Sequence, residues 1–252
     1  MSRNDTHMSL GIIIQARLGS SRLPRKIAAT VDDKFTLLER IVGLVSGLGD
    51  YSVVVAFPDD AEHRQFALTQ RLKPAEVFYG NEHDVLDRFV QCSAAFNFSS
   101  VLRICSDNPF LNVSFLRELI ANWSEEYDYA SYFNISGTAA MKTHYGLFAE
   151  IVKRDALSRV AQLTSEKVYH EHVTPYLYEH PDVFRLKKMV MPEPMWSGLP
   201  LRLTLDTEQD LTMARQIEES VDDVQDWRQI VSFCESSGLI DLMEKEIQKH
   251  TK

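Results

Sequence analysis

Between Gln15 and Ile27 the chain gathers Arg17, Gly19, Ser20, Ser21, Arg22, Arg25 and Lys26. Fixed positive charge, hydroxyls and the backbone N–H groups of a glycine-containing loop are the usual ligands of a polyphosphate. A solvated basic loop uses the same residue types, and on this stretch alone that alternative stays open. The two standard phosphate loops do not fit. There is no G-x-G-x-x-G, and Gly19 is not followed by the Gly-Lys-Ser/Thr of a Walker loop. A triphosphate held here requires a different loop.

Two acids stand where they could complete such a site. Asp107 follows Leu-Arg-Ile-Cys-Ser and Asp206 follows Leu-Arg-Leu-Thr-Leu, each at the carboxyl end of an expected strand. If those strands are neighbours, the carboxylates converge near the loop cations. One or two carboxylates plus substrate phosphates are the common ligands of Mg²⁺. Both acids also precede expected helices, so a capping role is the competing reading. Asp84 and Arg88 lie four apart and suit a surface ion pair on one helix face. The run His170-Glu171-His172 is not H-E-x-x-H, and helix residues two apart diverge. It fits a substrate-facing polar patch or a plain helix surface better than zinc. No G-x-S-x-G elbow occurs.

These groups need elements to place them. Ile12–Ile14 is an unalternated β-branched run, the mark of a strand covered on both faces, and ligands of open α/β sheets bind beyond the carboxyl ends of such strands. Thr36 and Glu39 have capping-box spacing ahead of an apolar helix that fails near Gly47 and Gly49. Strands are expected at 51–57, 76–79, 101–105, 127–132, 146–151, 184–190 and 201–205. Helices are expected at 59–71, 82–98, 112–123, 153–163, 165–179 and 207–219, with Pro175 as a possible break. Two more, split at Gly238, fill 224–252. The β-loop-α rhythm suits parallel crossovers and an α/β fold. The expected organisation is a loose tail at 1–9 and a single domain over 10–252, with 134–200 inserted on the substrate side.

At 252 residues, 44% hydrophobic and 25% charged, the composition is that of a globular protein. A net charge of −9 argues against a nucleic-acid binder and makes the opening cations a local feature. Cys92, Cys105 and Cys234 are widely spaced without C-x-x-C and suit a reducing compartment, hence the cytoplasm. No apolar run approaches the ~20 residues of a membrane span.

Gln15-Ala-Arg-Leu-Gly-Ser-Ser-Arg-Leu-Pro-Arg-Lys26, Glu82-His-Asp-Val-Leu-Asp-Arg-Phe89, Leu102-Arg-Ile-Cys-Ser-Asp-Asn-Pro109, Glu171-His-Val-Thr-Pro-Tyr176 and Arg202-Leu-Thr-Leu-Asp-Thr207 occur in this order. Over roughly residues 10 to 218 the chain resembles the spore-coat polysaccharide (SpsF-like) cytidylyltransferases, relatives of the acylneuraminate and Kdo cytidylyltransferases. The resemblance implies a Rossmann-like three-layer α/β/α nucleotide-diphospho-sugar transferase fold with a mostly parallel sheet, often dimeric. It implies transfer of CMP from CTP to a sugar or sugar-acid hydroxyl, with release of pyrophosphate, in surface polysaccharide synthesis.

By position, Arg17, Ser20, Arg22 and Lys26 would hold the triphosphate, and Gln15, Ala16, Gly19, Ser21, Asp84 and Arg103 would complete the nucleotide site. Asp107 and Asp206 would bind Mg²⁺; Arg22, Lys26 and Asp107 would be catalytic. Glu171, His172 and Arg202 would face the acceptor. The chain departs from the pattern at Arg25, where relatives have Gly, at Ser106-Asp107-Asn108 in place of Gly-Asp-Cys, and at Glu208 in place of Pro. Arg25 and Ser106 are expected to place bulk beside the phosphates and metal. Another nucleotide, a non-sugar acceptor, or a non-catalytic nucleotide-sugar-binding partner are the other readings.

Overall fold

The computed structural model describes residues 9–20 and 22–250, so the expected tail falls almost wholly outside the described residues. Strands β1 (Leu10–Gln15), β2 (Val53–Pro58), β3 (Glu76–Gly80), β4 (Ser100–Cys105), β5 (Tyr129–Phe133), β6 (Glu150–Lys153) and β7 (Leu186–Val190) form one sheet, ordered β3-β2-β1-β4-β6-β5-β7. β1 runs parallel to both β2 and β4, with Gln15 opposite Ala56 on one side and Cys105 on the other. β6 is reversed, antiparallel to both β4 and β5.

The helices are α1 (Leu37–Ser46), α2 (Ala61–Thr69), α3 (Val85–Ala95), α4 (Val113–Ala121), α5 (Arg154–Leu163), α6 (Lys167–His172), α7 (Pro175–Glu179), α8 (Glu208–Ser220), α9 (Trp227–Ser236) and α10 (Leu239–His250). Helices α1, α2, α4, α8, α9 and α10 pack on one face of the sheet, and α3, α5 and α7 on the other. This is a Rossmann-like three-layer α/β/α fold. The β1 run needs no alternation because Ile12 and Ile14 feed one core and Ile13 the other, all fully buried. The Thr36/Glu39 capping box opens α1, and Gly47 closes it.

Three expected elements differ. The strand at 146–151 starts only at Glu150. Gly146, at φ 62°, passes so close to Leu203 that a Cβ there would lie 3.0 Å from its backbone. The helix at 165–179 is broken two residues ahead of Pro175: Val173 adopts φ 74°, and Pro175 begins α7. Residues 201–205 form no strand. Leu201, Leu203 and Leu205 alternate with Arg202 and Thr204 in the sequence, but Arg202 is as buried as the leucines, and the Leu203 N–H donates to His144 O and the Leu205 N–H to Asp107 O, both at 2.8 Å. Alternating apolar residues suit any extended segment, whether or not a strand lies beside it.

Candidate active site

In the strand order, β2 lies on one side of β1 and β4 on the other. The carboxyl ends of β1 and β4 therefore flank a topological switch point, where open α/β sheets bind ligands. The loop after β1 ends in a short 3-10 turn, Lys26–Ala28, which brings Lys26 back over the sheet edge. Its Nζ lies 2.9 Å from Asp107 Oδ2 and 3.1 Å from Asp206 Oδ1. Arg22 Nη2 stands 3.5 Å from the same Asp206 oxygen. Three distant segments thus meet at one ammonium.

Electrostatics bind the cluster. Burial opposes the charge on Lys26, but Asp107 and then Asp206 outweigh it, so its pKa lies above the ordinary value. Burial pushes the Asp206 carboxyl up; Lys26 first, then Arg22 and Arg202, hold it below the usual carboxylate range. Neither acid caps a helix: Asn112 caps α4 and Thr207 caps α8. The capping alternative is gone: both carboxylates face Lys26 and not a helix end. Their hard oxygens fit a cation that fills its other positions with phosphate and water. Among the described residues no cluster of three or more acids, histidines or cysteines could hold a metal alone.

The remaining expected residues divide into groups. Gln15 Oε1 accepts from Arg103 Nη2 at 2.8 Å, and Ala16 is buried with its N–H donated to Ala56 O. Gly19 faces open space, and Ser20 Oγ accepts from the Leu23 N–H at 3.4 Å. Ser21 lies outside the described residues. Arg17 reaches to within 3.7 Å of Glu171, tying the loop to α6. Arg103 pairs with Glu150, a fully buried carboxylate that also accepts from Tyr129 and Thr174, while its Nε is buried without a hydrogen-bond partner.

Asp84 has both oxygens engaged, one capping α3 through the Asp87 N–H and the other 2.7 Å from His170 Nδ1. Arg88 is not its surface partner; it is fully buried and donates to Asn81 O. Arg202, expected at the acceptor, has a fully buried side chain. It forks onto Asp210 at 2.7 and 2.8 Å and stands 3.5 Å from Asp206. It therefore orients an acid and presents no surface to a substrate.

Arg25 corrects a further expectation. It occupies the left-handed region at φ 57°, which favours glycine, and this accounts for Gly at that place in the pattern. Its guanidinium turns away from the acids to Glu62 Oε1 at 2.7 Å and lies over the Phe66 ring of α2. Ser106 is buried, and Glu208 is exposed at the first turn of α8.

Two contributors escape a reading of the sequence. His63 Nε2 accepts from the Leu18 N–H at 2.9 Å, while its Nδ1 lies 2.6 Å from Asp60 Oδ2, so α2 fixes the loop backbone. No local signal links residue 63 to residue 18. Asp210 accepts from the Asp206 and Thr207 N–H groups besides holding Arg202. Its spacing from Thr207 is a capping-box signal that was available.

A cavity of about 300 Å³ opens over Asp107 and Asp206, bounded also by His144, Phe148 and His172. A second, of about 410 Å³, is bounded by Arg103, Tyr169, Tyr178 and Glu179. Cys105, Met141, Lys142 and His172 line both, so the two adjoin. Burial lowers the pKa of His172 and keeps it neutral near pH 7.

Compared with known proteins, residues 11–237 match the cytidylyltransferase family. The chain is 32% identical over 206 residues to the spore coat polysaccharide biosynthesis protein SpsF of Bacillus subtilis, covering 79% of this chain and 81% of that one. Two solved structures share the fold. A cytidylyltransferase from Leptospira borgpetersenii superposes with a TM-score of 0.80 at 21% identity, covering 93% of this chain and 97% of that one. A CMP:2-keto-3-deoxy-manno-octonic acid synthetase complexed with CTP superposes with a TM-score of 0.60 at 15% identity, covering 84% and 98%.

Proposed function

The chain belongs to the cytidylyltransferase family of nucleotidyltransferase enzymes, and from that premise we propose that it transfers CMP from CTP to a sugar or sugar-acid hydroxyl in the synthesis of a surface glycan. The observation that carries this reading is the meeting of Lys26, Arg22, Asp107 and Asp206 at the switch point between β1 and β4. CTP in the related synthetase and the polysaccharide role in the name of the Bacillus relative support the choice of nucleotide and pathway class.

In this mechanism the acceptor oxygen attacks the α-phosphorus in line as the bond to the β-phosphate oxygen breaks. Pyrophosphate leaves, and the hydroxyl proton passes to solvent. Such transfers depend on positioning and on neutralising charge. Lys26, kept protonated by its two acids, is fixed where negative charge builds on the leaving group. Arg22 is half-exposed, held to Asp206 only at 3.5 Å, and is free to turn onto a phosphate. Arg17 and the loop N–H groups complete the cradle. Asp107 and Asp206 would hold Mg²⁺. What the ion supplies is neutralisation of phosphate charge.

The test is pyrophosphate release from each of the four NTPs with a panel of sugar acceptors. Release is expected with CTP, and none with any NTP would refute the reading. The same reading makes the working unit a cytoplasmic homodimer. Val190 on the edge strand β7, 70% exposed, and Ile135, 63% exposed, support a covered apolar surface there. Sedimentation as a monomer would remove that part. No described helix is long and apolar enough to cross a membrane.

A further inference from the structure

We propose that His170 is a positioning residue: as an imidazolium held between Asp84 and Thr164, it latches α6 across the nucleotide side of the site. The proposal rests on the reading that the nucleotide of a CMP transfer sits there, and it names what holds one wall of that site in place.

Helix α6 has little apolar packing to fix it. It is six residues long, and none of its side chains is buried. A helix this short is not stable by itself in water. Its far end is anchored, because Val173 and Thr174 are buried directly after it. Its other ties are polar. Tyr169 Oη donates to Glu179 Oε2 at 3.0 Å, within the adjoining α7. Glu171 reaches Arg17 only at 3.7 Å, between partly exposed side chains, and Arg17 is a cation that the triphosphate would draw away. The tie that a bound nucleotide leaves in place is His170.

Geometry sets the charge of this histidine. Its Nδ1 lies 2.7 Å from Asp84 Oδ2, and its Nε2 lies 2.9 Å from Thr164 O. A carboxylate and a carbonyl only accept, so both ring nitrogens must donate, and only the imidazolium does that. Asp84 is a firm anchor. Its other oxygen accepts from the Asp87 N–H at the start of α3, and its own N–H donates to Asn81 Oδ1. Arg88 of α3 in turn donates to Asn81 O. The latch thus joins the turn after β3 to the helix that carries His172 to both cavities.

The charged groups that face His170 are Asp84 and Asp87, at the cap and in the first turn of α3. Helix α7 turns Glu179 to Tyr169 and Lys142 instead. Thr164 O first, then Asp84, raise the pKa of His170 above its ordinary 6.5, against a smaller opposing effect of burial. The latch is therefore complete below 6.5 and is lost as pH rises through the higher folded value.

The experiment measures CTP binding with Mg²⁺ by calorimetry on the full chain, for wild type, His170→Gln and His170→Arg, from about pH 6 to about pH 9. The Gln side chain carries no charge at any pH, whereas the Arg side chain stays charged and can donate to both acceptors throughout. Titration of the nucleotide and of His172 is common to all three and cancels in the comparison. Near the acid end CTP should bind His170→Gln about tenfold more weakly than wild type, and the gap should close toward the alkaline end. His170→Arg should keep the tighter binding across the range. Amide hydrogen exchange of α6 without nucleotide, corrected for intrinsic rate, should show protection falling with pH in wild type and level in His170→Arg. A gap that is absent or constant with pH, an Arg variant no tighter than Gln at the alkaline end, or α6 exchange that ignores pH would each overturn the proposal. Failure of CTP to bind wild type at any pH would instead refute the CMP-transfer reading, with the exchange profile still deciding for or against the latch.

Discussion

Replacing Lys26 by Met keeps the length of the side chain and removes a cation that touches both acids. The ammonium sits 2.9 Å from Asp107 and 3.1 Å from Asp206. At an effective dielectric near 20, each ion pair is worth about 5 kcal/mol gross before desolvation is subtracted. The net cost is smaller, because Arg22 and Arg202 still stand 3.5 Å from Asp206 and Asp107 is partly exposed. A loss of about 1–3 kcal/mol of stability is expected, from carboxylates left without their main partner. The transition state loses more. A fixed donor aimed at developing charge typically carries about 10²–10³ in rate, so kcat at saturating CTP should fall by that factor.

Pyrophosphate release, with urea unfolding alongside, separates the two effects. A folded Lys26→Met with kcat within about threefold of wild type, under about 1 kcal/mol of barrier, would refute the argument. The pH dependence follows from the raised pKa. The stability that Lys26 contributes is fully present below its ordinary 10.5 and lost only as pH rises through the higher folded value. The stability gap between wild type and Lys26→Met should therefore stay constant through neutral pH and close only in strong alkali.

Other substitutions test other parts of the site. Arg25→Gly removes a left-handed non-glycine residue and a surface ion pair, whose effects oppose each other. Its stability should stay within about 1 kcal/mol of wild type, and an unchanged kcat would confirm that this guanidinium does not serve the phosphates. Arg202→Met leaves Asp210 buried without its cation and should cost about 3–5 kcal/mol in urea unfolding; a loss below about 1 kcal/mol would contradict the orienting role. His63→Ala withdraws the acceptor from the Leu18 N–H, and initial rates should show KM for CTP rising about tenfold with kcat little changed. His63→Gln, whose amide oxygen can accept in its place, should recover most of that loss; a Gln variant as weak as Ala would exclude the loop-holding role.

The central strands, most helices and the basic loop were legible in the sequence because their signals are local. The run Ile12–Ile14, the Thr36/Glu39 box and Pro175 each act within a turn or two of chain. Family motifs also picked out Lys26, Asp107 and Asp206 as belonging together. What they could not give is the partner of each charged side chain. Arg103, Arg202 and Arg25 read alike as cations. In the fold the first is spent on Glu150, the second on Asp210, and the third on Glu62 of α2.

Those differences arise from contacts between residues far apart in the chain. Arg103 meets Glu150 because β6 runs antiparallel beside β4 and sets the two in register, and no local pattern records strand direction. Leu201–Leu205 looks like a strand because apolar and polar residues alternate along it, yet its Leu203 and Leu205 N–H groups donate to loop carbonyls of His144 and Asp107. Residue types and their order were thus enough for the kind of chemistry expected: a cationic loop, two acids and strand ends to carry them. Tertiary structure alone decided which charges remain free to meet a ligand. An ion pair is settled by distances of a few ångströms, and the fold, not chain spacing, sets those distances.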